Sequence, residues 1–467
     1  MVKNEDVAIR PRYQAVNPAT GEVIDTFETA TDVEMGAAIE LAYSAHSVWK
    51  SAGIEGRAAT VQRIGNLFAE RAGDLAAIAT AEMGKSLPEA RDEAAFCGSI
   101  FGYYAAEGPS LLADQMIKTF SRGTAIVQKL PLGPLLGIMP WNYPFYQVAR
   151  FAAPNLMLGN TIILKHAESC PGSASAIQRI MDDAGLPRGA YLNIFATHGQ
   201  IERIIADPRI RGVSLTGSER AGAAVASIAG KNLKKCVLEL GGSDPYVILD
   251  SNDIDESANT AWQTRMSNTG QACNGNKRMI VMADIYDDFV EKLVRKADGL
   301  QPGNPAGRAV GTFGPLASRA AAEHLAEQVQ DAVTKGATLH VGGKLSNGSA
   351  AYFSPAILTG VTKEMRAYRE ELFGPVAVVY CVGSDEEAIA LANDTIYGLG
   401  GAVFSTDTER AKRVADALEV GMANVNTPAG EGVEIPFGGV KNSGFGRELG
   451  PLGMDEFANK RLFYTAG

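Results

Sequence analysis

The feature that most limits how this chain can fold is an alternation that begins at Leu135, where short apolar runs take turns with segments of helical periodicity. LLGIMP is followed by VARFAAPNLMLG, TIILK by a helical stretch from Cys170 to Ala184, YLNIF by IERIIA and GVSLT by RAGAAVASIAG, and KCVLEL closes the run. Apolar strands joined by helices of this length pack as a parallel sheet covered on both faces. A second alternation follows Gly242, with KRMIVM, VAVVY, GGAVF and GMANVN as strands and YDDFVEKLVRKAD, AEHLAEQVQDAV and DEEAIALAN as helices. Two open α/β units are therefore expected. Before them, from Thr31 to Tyr104, apolar residues such as Leu41, Ala45, Ile64 and Phe68 recur at helical spacing, and Gly84 marks a helix end. KTFSRGTAIVQKLPLG reads as a strand pair turning at Gly123, and EFANKRLFYTA ends in a strand-like run. Such ribbons leave open edges that a second subunit would cover, or form a simple edge hairpin.

With 467 residues the chain is long enough for two or three domains. Its 53 acidic residues exceed its 43 basic ones, giving a net charge of -10, and the basic residues are scattered. That balance argues against nucleic acid or an anionic membrane as a partner. The most apolar run, LPLGPLLGIMPW, is interrupted by Pro131, Pro134 and Pro140, and a bilayer span needs ~20 apolar residues. The opening MVKNEDVAIRPR has no apolar core of a signal peptide. Cys97, Cys170, Cys236, Cys273 and Cys381 stand far apart with no CxxC spacing. They read as reduced thiols of a soluble cytoplasmic protein, without a disulfide framework or a metal site.

Ligands of open parallel sheets sit at the carboxyl ends of the strands. Asn142, Lys165, Gly217, Ser218 and Glu239 all fall there. Gly217 and Ser218 open a helix, whose N-terminal amides attract phosphate, although serine is also an ordinary helix cap. Lys165 and Glu168 could bond ribose hydroxyls or form a solvated pair. Glu239 precedes Gly241 and Gly242; a desolvated carboxylate there has the raised pKa a general base needs, the alternative being an edge carboxylate. In NTGQACNGNKRMIV the single thiol, Cys273, lies in a polar loop leading into a strand. A free thiol is otherwise a small buried apolar group, so a polar loop setting points to nucleophilic use. The loop belongs to the second α/β unit, which puts the thiol in the cleft between the two.

Taken together, PWNYPF, the Lys165 to Glu168 spacing, LTGSERAG, LELGGSDP, NTGQAC, EELFGPV and PFGGVKNSGFGRELG occur in an order that resembles the aldehyde dehydrogenase superfamily over nearly the whole chain. KKCVLELGGSDP, the Lys-His-Ala run at Lys165 and the tail from GFGRELG to EFANK look like bacterial succinate-semialdehyde dehydrogenases. The resemblance implies a Rossmann-like cofactor domain at 1–117 and 139–241, an open α/β catalytic domain at 242–444, and a β-ribbon oligomerisation element at 118–138 and 445–467. A homodimer or homotetramer acting on a small-molecule aldehyde without a metal follows from the same likeness. It makes Cys273 the nucleophile, Asn142 and the Cys273 N–H the oxyanion donors, worth roughly 3 to 4 kcal/mol each, and Glu239 the base that readies water. Glu239 implies a free acid as product and not a coenzyme A ester. Pro140, Trp141, Lys165, Glu168, Gly217, Ser218, Leu240, Glu371 and Phe373 match cofactor-binding positions. Glu168 implies NAD in preference to NADP, with NADP possible. Arg150, eight residues after Asn142, matches an arginine that holds a substrate carboxylate, with Tyr143 and Phe437 beside it and Glu448 in a supporting position. The chain departs from its relatives in carrying Met266 and Ser267 where some have a second arginine, in Glu431 and Glu434 of the loop before PFGG, and in Gly275, which removes a possible disulfide with Cys273. The two acids would favour a neutral or amino-bearing aldehyde.

Overall fold

In the computed structural model, which describes residues 12–120, 122–307, 310–430 and 432–467, the chain begins with an antiparallel hairpin, β1 (Arg12–Val16) and β2 (Val23–Glu28). Helices α1 (Asp32–Ser51), α2 (Gly53–Glu70), α3 (Ala72–Met83) and α4 (Leu87–Leu111) follow. A reciprocal Thr31–Glu34 capping box starts α1, and Gly84 ends α3 with φ 76, as its place in the sequence suggests. Helices α2 and α4 cross with backbones nearly touching: a Cβ on Gly65 would stand 2.8 Å from Gly98 O, and one on Gly98 the same distance from Gly65 O.

Strands β3 (Gln115–Ile117) and β4 (Thr124–Pro131) pair antiparallel, and β4 is covered on its other edge by the late strand Ala458–Thr465. The first strand of this ribbon lies earlier than the sequence pattern suggests. The register Gln115↔Val127 to Ile117↔Ala125 leaves Lys118, Thr119 and Phe120 in the connection.

Beyond it comes the doubly wound α/β sheet that the alternation predicts, built from β5 (Pro134–Met139), α5 (Tyr146–Leu158), β6 (Thr161–His166), α6 (Pro171–Asp183), β7 (Tyr191–Asn193), α7 (His198–Ala206), β8 (Gly212–Thr216), α8 (Glu219–Lys231) and β9 (Lys235–Glu239). The spatial order β9-β8-β5-β6-β7 is parallel throughout. β5 therefore belongs to this sheet and not to the ribbon within which residues up to 138 were expected. The order reverses beside β5, so the crevice at the carboxyl ends of β5 and β8 is the switch point where such sheets take ligands. The short strand Gly444–Phe445 adds antiparallel to β9, pairing Gly444 with Glu239.

A seven-stranded sheet holds β10 (Pro245–Ile248) and β11 (Arg278–Met282) at its centre, flanked by Val376–Val382 and Ala356–Thr359 on one side and Gly400–Phe404 and Met422–Val425 on the other, all parallel, with Thr338–Val341 antiparallel at the edge. Helix α9 (Ile254–Met266) leads through the Cys273 loop into β11. Each sheet buries apolar side chains on both faces: Leu135, Ile162 and Leu164 on one side of the first and Leu136, Ile163 and Val213 on the other. Alternate residues of one strand thus serve opposite cores. No helix of the described residues is long and apolar enough to cross a membrane.

Candidate active site

The Cys273 loop is shaped by three successive left-handed residues, Asn268 (φ 50), Thr269 (φ 54) and Gly270 (φ 76). A Cβ on Gly270 would strike the carbonyl of Gly374, so only glycine fits. Asn268 bonds its neighbours through its side chain, donating from Nδ2 to Asn142 O (2.8 Å) and Gln271 O (3.2 Å). The backbone N–H of Ala317 donates to Gln271 Oε1 (2.9 Å). Arg265, fully buried, donates to the carbonyls of Val376 (2.7 Å), Gly270 (3.2 Å), Leu372 (2.8 Å) and Gly374, and so ties the loop to EELFGPV.

Asn142, 4% exposed, follows β5 and donates from Nδ2 to Gln271 O at 3.1 Å. Only one of its two amide hydrogens is used in that bond, and the other is available to an oxygen near Cys273. Cys273 is half-buried; burial pushes its thiol up to about 12, while Arg150 and Lys277 pull it down and Glu371 and Glu239 push it further up. Glu239, at the end of β9, is 2% exposed, and neither carboxylate oxygen has a hydrogen-bond partner among the described residues. Burial holds it well above the usual carboxylate range, against the pull of Arg150 and with a further push from Glu448. A buried, unpartnered carboxyl of this kind can take a proton from water.

Arg150 lies wholly inside the protein. Its guanidinium meets the Glu448 carboxylate through Nε and stacks on Phe437 (4.4 Å) and Tyr146 (5.0 Å). Nη1 and Nη2 have no hydrogen-bond partner among the described residues. Arg150, Tyr143, Phe437 and Cys273 line one cavity of about 540 Å³. Asn142 and Glu239 are not part of that lining. Glu434 also lies outside the lining, and Glu431 falls outside the described residues.

The sequence reading passed over the acids of α4, where Glu89, Asp92 and Glu93 line the same cavity. Glu93 pairs with buried Lys85 and accepts from the N–H groups of Phe145 (2.8 Å) and Tyr146 (3.0 Å), fixing the start of α5. Lys85 in turn sits 3.6 Å from the centre of the Tyr143 ring. Glu89 accepts from the N–H of Asn268 at 2.7 Å. Their spacing with Phe96 along PEARDEAAF was the available signal, since it sets them on one helix face.

Lys165 stands near the carboxyl end of β6, and Gly217 and Ser218 follow the carboxyl end of β8. Lys165 is buried at the end of β6, 3.7 Å from Glu168, and burial lowers its pKa. Ser218 caps α8, accepting from Ala221 N–H at 3.4 Å, and Gly217 N–H is held by Glu239 O at 3.0 Å. The Thr216 hydroxyl is buried without a partner. Leu240 fills the space above Gly222, where a Cβ would come within 2.7 Å of it. Glu371 accepts from Gly242 N–H (3.1 Å) and Lys277 (2.9 Å), and a Cβ on Gly241 would lie 2.7 Å from its carboxylate. Trp141, next to Pro140 after β5, meets Phe373 edge to face at 5.6 Å. A hydroxyl without a partner among the described residues and a glycine-lined wall at the start of a helix fit a phosphate- and ribose-bearing cofactor.

Residues 6–462 match the profile of the Aldehyde dehydrogenase family. The chain is 51% identical over 464 residues to succinate-semialdehyde dehydrogenase [NADP(+)] of Deinococcus radiodurans, covering 99% of this chain and 97% of that one. It is 42% identical over 452 residues to the enzyme of the same name from Mycobacterium avium, covering 96% of each. The crystal structure of succinic semialdehyde dehydrogenase from Streptococcus pyogenes with NADP+ superposes with a TM-score of 0.94 at 40% identity, over 97% of this chain and 100% of that one. The preference for NAD expected from Glu168 finds no support in these relatives, whose names or complex carry NADP+. Fold, profile and relatives agree that the chain belongs to the aldehyde dehydrogenase family, and it is an NAD(P)-dependent oxidoreductase that converts an aldehyde to its acid.

Proposed function

We propose that the aldehyde is short and carries a carboxylate, with succinate semialdehyde as the leading substrate. The observation that carries this is Arg150, a buried guanidinium that lines, with Tyr146 and Phe437, the cavity that also holds Cys273. Such a group binds a carboxylate through two parallel hydrogen bonds. Cys273 Sγ, its thiol proton given up to solvent, then attacks the aldehyde carbon, and the Asn142 amide and the Cys273 N–H hold the oxygen that becomes negative. A nicotinamide cofactor, when bound, accepts the hydride. The acyl group remains on sulfur as a thioester, and Glu239 takes a proton from the water that attacks it, releasing the acid and the Cys273 thiol. Lys165, Ser218 and Glu371 would hold the cofactor.

For the cofactor we favour use of both NADP and NAD. Glu168 is half exposed, with Lys165 and His198 each 3.7 Å away, so its charge is partly offset and it is free to turn aside from a 2'-phosphate. The six-stranded sheet is the proposed cofactor domain, the seven-stranded sheet the catalytic one, and the ribbon of β3, β4 and Ala458–Thr465 the oligomer contact of a cytoplasmic dimer or tetramer. A second reading, an amino-bearing aldehyde, is favoured by Glu89 and Asp92 in the cavity lining.

A kinetic screen of semialdehydes, aminoaldehydes and uncharged aldehydes with both cofactors tests the proposal. Succinate semialdehyde is expected to give the highest kcat/KM. A higher value for an amine-bearing or uncharged aldehyde would overturn the substrate assignment, and parental turnover in Cys273→Ser would overturn the mechanism.

A further inference from the structure

Lys277 has no part in the reaction steps above, yet its ammonium is buried at the centre of the site, 1% exposed. It donates to the carbonyls of Ala272 and Cys273, both at 2.7 Å, and to Glu371 Oε1 at 2.9 Å. Three donors meet three acceptors, which uses the full capacity of an ammonium group. Two acceptors belong to the nucleophile loop and the third is the carboxylate on the cofactor side. The same two segments meet again at Gly242, whose N–H bonds Glu371 (3.1 Å) and where a Cβ would strike Cys273 O. Buried beside them is Asp244, with an oxygen that lacks a partner; burial raises it to about 6 while Lys277 lowers it. Taking an ammonium out of water costs several kcal/mol, and a neutral hydroxyl or amide could bond a loop carbonyl at far smaller cost. A charge is needed only where its partner is charged or becomes so.

We propose that Lys277 is a positioning residue that joins the Cys273 loop to Glu371, so that a single buried cation sets both the reactivity of the thiol and the affinity for the cofactor. The inference rests on the reading of Cys273 as nucleophile and Glu371 as a cofactor ligand. Arg150 and Lys277 are the two cations that favour the Cys273 thiolate, and Glu371 opposes it. Removing Lys277 therefore slows reaction of the thiol, and removing Glu371 alone speeds it.

The test is the pH dependence of Cys273 alkylation by iodoacetamide in cofactor-free enzyme, followed peptide by peptide by mass spectrometry, with exposed Cys381 as internal reference. NADPH affinity is read in parallel from its fluorescence. Lys277→Met is expected to slow alkylation at neutral pH by about tenfold, one pH unit in the profile, and to weaken NADPH binding by about tenfold. Glu371→Gln should weaken NADPH binding and speed alkylation. The double variant leaves no unpaired charge, so it serves if Lys277→Met does not fold, and it should alkylate several-fold more slowly than Glu371→Gln. Alkylation in Lys277→Met within twofold of the parent, or in the double variant within twofold of Glu371→Gln, would overturn the proposal. A change in only one of the two readouts would do so as well, because joining requires both. Alkylation is read without substrate, so a null result leaves the nucleophile assignment standing, whereas parental turnover in Cys273→Ser removes that assignment alone.

Discussion

Replacing Arg150 with methionine while converting Glu448 to glutamine isolates the contact with the substrate carboxylate. Arg150→Met alone would strand Glu448, whose remaining partner is the Ser214 hydroxyl at 3.3 Å, and a buried carboxylate left uncompensated costs about 3 to 5 kcal/mol of stability. Converting both groups removes the pair together and keeps the volume between Phe437 and Tyr146 filled by an unbranched chain. It also takes away one influence of each sign on Glu239, since Arg150 lowers its pKa and Glu448 raises it. What is lost is the charge-assisted pair with the carboxylate of the substrate, worth about 2 to 5 kcal/mol when buried. At 1.4 kcal/mol per factor of ten, kcat/KM for succinate semialdehyde should fall at least about 30-fold. Butanal, which matches the chain length but lacks the carboxylate, should stay within about threefold of its parental value. Initial rates of NADPH formation on both substrates, together with a melting curve to establish folding, give the answer. Equal losses on the two aldehydes would refute the assignment, because a guanidinium that only shapes the cavity has no reason to distinguish them.

Glu239→Gln should still release one equivalent of reduced cofactor per site in a burst, with steady turnover slowed by about 10²- to 10⁴-fold, as stopped-flow absorbance would reveal. Because burial raises the Glu239 pKa, the parent should gain acyl-release rate as pH rises through that value while the base sheds its proton, and the glutamine variant should lack this rise. Gly270→Ala forces a Cβ against Gly374 O at φ 76 and should destabilise the protein by about 2 to 4 kcal/mol in urea titration. Glu168→Ser removes the one carboxylate beside Lys165 and should raise kcat/KM for NADP relative to NAD about tenfold; an unchanged ratio would exclude Glu168 from cofactor choice.

The alternation of strands and helices after Leu135 was legible because each apolar run is bounded by polar turns, and the residues at its strand ends could be named from that pattern alone. β10 escaped notice because PYVI is too short to announce a strand without its neighbours. Met266 and Ser267 drew attention to a missing arginine, yet Arg265 stands beside them with its donors spent on carbonyls as distant in sequence as Val376. No local pattern reports such a contact. Arg150 could be named in sequence only through its match to a carboxylate-holding arginine, because its burial depends on Glu448 and Phe437 from the far end of the chain. Glu168 lies 3.7 Å from both Lys165 and His198, a matter of side-chain direction that residue identity does not encode.

Glu239 is walled in by segments made late in synthesis. Glu239 ends a strand whose outer edge is Gly444, its carboxylate faces Gly438, where a Cβ would approach within 2.7 Å, and the following Leu240 N–H is held by Ser443 O at 2.9 Å. A ribosome-bound chain that has finished the seven-stranded sheet and the parallel strands of the other, but not this stretch, would hold Cys273 and Asn142 while its Glu239 lacked these neighbours and was more open to water. On the proposed mechanism, the setting that lets Glu239 ready water is thus completed last, when the molecule is nearly whole.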